Sequence, residues 1–314
     1  MYKIVFVGLG SIGKRHIKNL TSLLKKRQIE YRIDAVRSSD RELPMEVKEL
    51  ITKEYHGITE LKDDYDIAFI TNPTSLHYQA LCEIQGKAKH LFVEKPLFAN
   101  GDVSGEDFAK LKEGLSKGVT YIACPLRYKE CMQYVKAQID EGLKVISARA
   151  ISSSYLPDWR KGVDYREVYS AKSALGGGVT LDLIHEWDYL TYFWGFPEKM
   201  YHIKDKVSDL SIDADDLSVY IAKYQDKVVE VHLDYFGRKS VRTLELYTDK
   251  NRIDVDIIAN TVTVFENGTE QKITFETKDF YVSEMEYFLD LLEGKEENHN
   301  SLTHAFEVLK LVLQ

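Results

Sequence analysis

At 314 residues the chain is longer than a single core usually grows, so two domains are expected, each large enough to fold without disulfide or metal staples. Lysine and arginine number 42 against 50 aspartates and glutamates, for a net charge of -8 with no dominant basic stretch, which weighs against nucleic acid or an anionic membrane as the main partner. Cys82, Cys124 and Cys131 have no C-x-x-C spacing, no metal site is indicated, and no apolar run approaches the roughly 20 residues of a membrane span, so a protein of the reducing cytoplasm is expected.

The first stretch carries the strongest signal. Tyr2–Val7 is a short apolar run rich in β-branched residues, and it passes directly into Gly8-Leu9-Gly10-Ser11-Ile12-Gly13 and then into the helical spacing of Ile17, Leu20, Leu23 and Leu24. This is the strand–turn–helix setting that a G-x-G-x-x-G dinucleotide fingerprint requires. Gly8 permits the tight turn, Gly10 lets backbone approach a pyrophosphate, and Gly13 lets the helix lie close to the sheet, with Ser11 and Ile12 at the helix start where phosphate meets unpaired N–H groups. Tyr31–Val36 reads as the second strand. An acidic residue at its end would accept hydrogen bonds from the ribose of NAD. Arg37, Ser38 and Ser39 stand there instead and suit a 2′-phosphate, so NADP is favoured and NAD possible, with Asp40 as the acidic competitor.

Residues 45–53 read as helix, and Tyr65–Ile70 as a strand closed by Thr71-Asn72-Pro73, a turn at the end of a strand where nucleotides bind in open α/β sheets. A helix follows from about Ser75, with His77 just inside it. The strand 91–93 ends in Glu94-Lys95-Pro96, which sets an ammonium and a carboxylate at the mouth of the sheet; the ammonium can hydrogen-bond an oxygen that becomes negative during reaction. A polar-faced helix within 101–118 and a crossing strand at 121–125 complete an α/β, doubly wound Rossmann domain over residues 1–122.

From there the pattern changes. Residues 152–170 form a long polar loop in which Tyr155, Trp159, Tyr165 and Tyr169 alternate with charged residues; aromatic faces and polar groups together suit a sugar, and an oligomer contact would use the same residues. Gly176-Gly177-Gly178 precedes Asp182, His185 and Asp188, whose spacing of three places them along one side of a helix, where a carboxylate can fix the imidazole tautomer and leave the other nitrogen as a base. Strand-like runs at 145–151, 217–224, 228–235, 241–247, 252–257 and 261–265 follow one another without intervening helices, which indicates an α+β domain with a mainly antiparallel sheet over 123–314. Two amphipathic helices close the chain, the second capped by Asn300 or Ser301.

Taken together, the glycine turn, Thr71-Asn72-Pro73 with His77, Glu94-Lys95-Pro96, Leu126-Arg127-Tyr128 and the run from Gly176 to His185 resemble the Gfo/Idh/MocA family of NAD(P)-dependent oxidoreductases over nearly the full chain. The resemblance implies that Lys95, Asp182 and His185 are the catalytic residues, and that Thr71, Asn72, Pro73, His77, Glu94, Lys95 and Arg127 join the glycine turn at the cofactor. It further implies a substrate site that includes Lys95, Tyr155, Trp159, Tyr165, Asp182 and His185. Many members place four residues from Asp to His, where this chain has three. The implied function is hydride transfer between a nicotinamide and a secondary alcohol or ketone of a sugar, sugar acid or nucleotide sugar, in a homo-oligomer, dimer or tetramer. A non-catalytic dinucleotide sensor, and an epimerase or lyase with a recycled cofactor, remain open.

Overall fold

A computed structural model describes every residue except Asp40, Asp63 and Asp102, so the acidic competitor at position 40 lies outside the described residues. The chain divides into two compact units, Met1–Ala123 with Tyr281–Lys310, and Cys124–Phe280 with Leu311–Gln314. Among the described residues no helix is long and apolar enough to cross a membrane.

In the first unit, β1 (Tyr2–Val7), β2 (Tyr31–Val36), β3 (Lys53–Tyr55), β4 (Tyr65–Ile70), β5 (Ala88–Val93) and β6 (Thr120–Ile122) form one parallel sheet in the order β3-β2-β1-β4-β5-β6. The last four residues of β1, β2 and β4 are buried without alternation, the signature of strands covered on both faces. Successive connections leave β1 in opposite directions, through β2 on one side and β4 on the other. The crevice at the carboxyl ends of these two central strands is therefore the topological switch point of a Rossmann sheet, where ligands bind.

The sequence assigns residues 281–310 to the second domain, whereas the structure packs them with the first. An aromatic stack explains the difference. Phe6 lies on Phe69 at 4.4 Å, Phe69 on Phe92 at 5.1 Å, and Phe288 meets Phe92 edge-on at 5.2 Å, so the helix Phe280–Leu292 closes one face of the parallel sheet. Phe306 stacks on Phe108 at 3.8 Å and anchors the last helix in the same way. The helix expected over 45–53 is only Met45–Lys48, because Lys53–Tyr55 pairs with β2 as the edge strand β3.

The second unit holds an eight-stranded sheet built from β7 (Val145–Tyr155), β8 (Lys199–Asp205), β9 (Leu217–Lys223), β10 (Val228–Asp234), β11 (Phe236–Thr248), β12 (Arg252–Asp256), β13 (Thr261–Glu266) and β14 (Thr269–Thr274). Its order is β14-β13-β12-β11-β7-β10-β9-β8, antiparallel throughout except for β7 beside β10. Ala148, Ala150, Val229, Val231, Leu233, Leu244, Leu246, Ile253 and Val255 point to the buried face. The loop expected over 152–170 is shorter, since β7 continues to Tyr155; beyond it the chain runs through single turns of 3-10 helix at Leu156–Asp158, Tyr165–Glu167 and Tyr169–Ala171.

Candidate functional site

The glycine turn joins β1 to the helix Ser11–Lys26. Gly8 has a φ of +90°, and a Cβ there would lie 2.6 Å from Asn72 Cα; one on Gly13 would lie 2.6 Å from the Gly8 carbonyl oxygen. These two glycines let the turn after β1 and the turn after β4 touch. Thr71 ties them further by donating from Oγ1 to the Gly8 carbonyl at 2.5 Å. Gly10 is different, because among the described residues, its chain neighbours aside, nothing lies within 4 Å of where its Cβ would be. The helix begins at Gly10 with no side-chain cap and no acidic residue in its first turn, so among the described residues its leading N–H groups have no capping side chain. Asn72 Oδ1 is buried and has no hydrogen-bond partner beside the same turn. Open space, uncapped donors and an orphaned acceptor at a switch point fit a dinucleotide, which Gly8, Gly10, Ser11, Ile12, Gly13 and Asn72 would hold.

At the end of β2, Arg37 donates to Glu54 of β3 at 2.7 Å and to the Arg41 carbonyl oxygen, while Ser38 and Ser39 are exposed. The guanidinium is thus held in place rather than waving in solvent. His77 is wholly buried, with Nδ1 3.1 Å from the Pro96 oxygen and 3.2 Å from that of Leu97, and Nε2 3.1 Å from that of Asn72. Burial lowers its pKa, so the imidazole is neutral and has one N–H to give; the two carbonyls beside Nδ1 favour placing it there, on the turn after β5, with Nε2 packed near the Asn72 carbonyl after β4.

The Glu94-Lys95-Pro96 corner is not a solvated charge pair. The Glu94 carboxylate turns inward, 2.5 Å from His16 Nε2 in the helix after the glycine turn, and it accepts the Lys95 backbone N–H at 3.2 Å. Burial opposes its charge, but the hydrogen bond from His16, aided by the positive charge of Lys95, holds the carboxyl below its ordinary range. Glu94 therefore stays ionised through neutral pH, and its contribution to stability is lost only as pH falls through that depressed value. Lys95 is half-buried.

In the second unit Asp182, His185 and Asp188 do not share one unbroken helix. Val179–Asp182 is a single helical turn and His185–Trp194 a second helix. Between them Ile184 N–H reaches back only three residues, to Leu181, and Glu186 to Leu183. Each carboxylate has its own partners. Asp182 accepts from Tyr235 at 2.7 Å and from Tyr169; burial first, and then this carboxylate, keep both phenols protonated well beyond neutral pH. Asp188 takes Arg127 in a fork, with Nε and Nη2 both at 2.8 Å. Glu186, fully buried, takes Arg242 at 2.6 Å. Arg127, expected beside the cofactor, thus has its fork engaged by a carboxylate of its own unit. His185 is half-buried at the start of its helix.

The aromatic residues beyond β7 do not form one open face. Arg238 lies 3.7 Å over the Tyr155 ring, Trp159 donates to Ser154 Oγ at 2.9 Å and stands edge-on to Tyr235, and the Tyr165 hydroxyl accepts the Ser211 N–H. Trp159 and Tyr165 line one cavity of about 10 Å³, room for a single water. His16, Tyr235 and the Glu186–Arg242 pair escape a reading of the sequence; only the lone histidine three residues past Gly13, on the inward side of a helix, gives a local hint.

Residues 2–117 match the Gfo/Idh/MocA family, described as an oxidoreductase family with an NAD-binding Rossmann fold. An uncharacterized oxidoreductase, YrbE, of Bacillus subtilis is 26% identical over 193 residues, 60% of this chain and only about half, 52%, of that relative. A myo-inositol 2-dehydrogenase of Thermotoga maritima is 25% identical over 321 aligned positions, 94% of this chain and 89% of the relative. The crystal structure of the WlbA dehydrogenase from Bordetella pertussis, in complex with NADH and UDP-GlcNAcA, superposes with a TM-score of 0.79 at 15% identity, over 99% of this chain and 94% of that one, and so shares its fold. Through residues 2–117 this chain is similar to the NAD-binding Rossmann domain of the Gfo/Idh/MocA oxidoreductase family.

Proposed function

We propose that the protein is an NAD(P)-dependent dehydrogenase or reductase acting on a secondary alcohol or ketone of a sugar, sugar acid or nucleotide sugar. The observation that carries this reading is the uncapped glycine turn, with its open space at Gly10, adjoining the Asn72 corner of the same sheet from which Lys95 emerges. Exchange of hydride with the substrate carbon is the chemistry a bound nicotinamide supplies. In this reading His185 takes the hydroxyl proton during oxidation and returns it during reduction, and Lys95 hydrogen-bonds the oxygen as its charge grows. Asp182, kept in place by Tyr169 and Tyr235, orients the polar groups around the substrate. Tyr155, Trp159 and Tyr165 would cover the C–H faces of the sugar. The myo-inositol dehydrogenase relative and the UDP-GlcNAcA bound to WlbA support a polyhydroxylated ring as substrate class. Self-association through the outer sheet face, where Tyr201, Ile203 and Ile221 are exposed, and a cytoplasmic location belong to the same reading.

Absorbance at the reduced nicotinamide band across a sugar panel tests it. A net change that requires both sugar and dinucleotide is expected. Binding without any change would favour a sensor, and product without net change a recycled cofactor.

NADP is the proposed cofactor, with Arg37 and the hydroxyls of Ser38 and Ser39 at the 2′-phosphate. Glu54 competes for that guanidinium. Glu54→Gln is therefore expected to raise the preference for NADPH over NADH, read as a ratio of dissociation constants, about tenfold, the equivalent of roughly 1.4 kcal/mol. An unchanged ratio removes Arg37 from the discrimination.

A further inference from the structure

We infer that His16, which faces the protein interior behind the glycine turn, is a positioning residue for Lys95 and acts through the buried Glu94 carboxylate. The inference rests on the catalytic reading of Lys95 proposed above. His16 sits one turn into the helix Ser11–Lys26 with no exposed surface. Its ring is walled by Phe92, edge-on at 4.9 Å, by Phe69 at 6.4 Å and by Tyr281 at 6.2 Å. Nε2 lies 2.5 Å from Glu94 Oε1, while Nδ1 is buried with no hydrogen-bond partner.

That asymmetry assigns the proton. A buried N–H without an acceptor is expensive, whereas a bare ring nitrogen is the cheaper orphan, so Nε2 carries the hydrogen and donates it to Glu94. The second carboxylate oxygen accepts the Lys95 N–H at 3.2 Å. Charged and polar groups reach Glu94 from each packed side: His16 from the helix after the glycine turn, Lys95 from the strand end, and His77 from the helix His77–Ile84. An apolar pair of similar volume would stabilise the fold as well or better, so stability alone does not account for a carboxylate here. What the carboxylate does is fix the backbone at Lys95 and keep a negative charge next to its ammonium. His77, bonded to the Pro96 and Leu97 carbonyls, braces the far side of the same corner. Without the His16 donor, burial prevails and Glu94 takes up a proton, which removes both effects.

Two measurements on His16→Leu, His16→Gln and Glu94→Gln test this. The first needs no substrate: carboxyl carbon NMR, with the Glu94 signal assigned by its loss in Glu94→Gln, follows the titration directly. Glu94 is expected to titrate at least about one pH unit higher in His16→Leu than in the wild type, and to return toward wild type in His16→Gln, whose amide can donate from similar reach. The second is kinetic. In His16→Leu, kcat is expected to fall about tenfold or more and the acid limb of kcat/KM to move up by about one pH unit, with dinucleotide affinity within about threefold of wild type. The proposal is overturned by a Glu94 titration indifferent to His16. It is equally overturned by an unchanged kcat and pH profile, or by a joint loss of folding, affinity and rate with the profile in place. Should His16→Leu fail to fold, Glu94→Gln must show the fall in kcat with affinity retained. A wild type that turns over no sugar sinks the dehydrogenase reading, and the carboxyl titration still decides the pairing.

Discussion

Gly10→Val is expected to abolish measurable dinucleotide binding while leaving the thermal unfolding midpoint within about 1 °C of wild type, less than the roughly 1.5 °C shift that 1 kcal/mol produces in a chain of this size. The backbone at Gly10, with φ −67° and ψ −165°, is ordinary extended chain that any residue adopts, and among the described residues, its chain neighbours aside, no atom lies within 4 Å of the new Cβ. Nothing in the fold resists the substitution. The valine would instead fill the space through which a pyrophosphate reaches the first N–H groups of the helix, and a loss of at least about 100-fold, roughly 2.7 kcal/mol, is expected. Gly8→Val is the contrasting control. There φ is +90° and the Cβ would sit 2.6 Å from the Asn72 backbone, so that variant should lose stability before any ligand is added, by about 3 kcal/mol or more. Titration with NADH and NADPH beside a melting curve separates the two. Wild-type affinity in Gly10→Val would mean that the turn is no phosphate cradle.

The contrast between these glycines also shows what the sequence makes legible. Turn, strand and helix around Gly8–Gly13 lie within one local window, and the burial of β1 and β4 on both faces writes itself as the unbroken apolar runs Ile4–Val7 and Ile67–Ile70. The strands that sequence reading overlooks are β3, β8 and β14, and all three lie at sheet edges. Edge strands carry charge and polarity that discourage pairing with other chains, so Lys53-Glu54-Tyr55 and the polar run Thr269–Thr274 lack the pattern that reveals a central strand. The fourth edge, β6, is the instructive exception. Asn300 covers it by accepting the Ile122 N–H and donating to the Ile122 carbonyl, and a covered edge can be as apolar as a central strand, which is why it was readable.

Non-local partners are the other blind spot. The amphipathic faces of the last two helices announce burial but not against what, and only the Phe92–Phe288 and Phe108–Phe306 contacts assign them to the parallel sheet. The carboxylates after the three glycines follow the same rule. Their spacing suggests one shared helix face, yet Asp182 finds Tyr169 and Tyr235, Glu186 finds Arg242 and Asp188 finds Arg127, at separations of 13 to 61 residues. A short carboxylate in a buried setting is committed to the strongest donors within reach, and the chain positions of those donors are set by the fold.

His185→Asn is expected to lower kcat by about 100-fold to 10,000-fold, the range general-base catalysis usually supplies, with kcat/KM falling by the same factor. Asparagine keeps a polar side chain at the start of the helix His185–Trp194, where it also serves as a helix-end residue, so the fold has little reason to change. It cannot take a proton from a hydroxyl. The glycine turn lies in the other unit, so dissociation constants for NADH and NADPH should stay within about threefold of wild type, below 1 kcal/mol, and the unfolding midpoint should hold. This pattern separates the base from its neighbours: loss of Tyr169 or Tyr235 would act on Asp182 and disturb packing as well, whereas position 185 is half-buried and carries no comparable share of the core. A His185→Asn enzyme that keeps wild-type turnover would take the proton transfer away from this histidine and leave hydride exchange at the first unit to be served by another base.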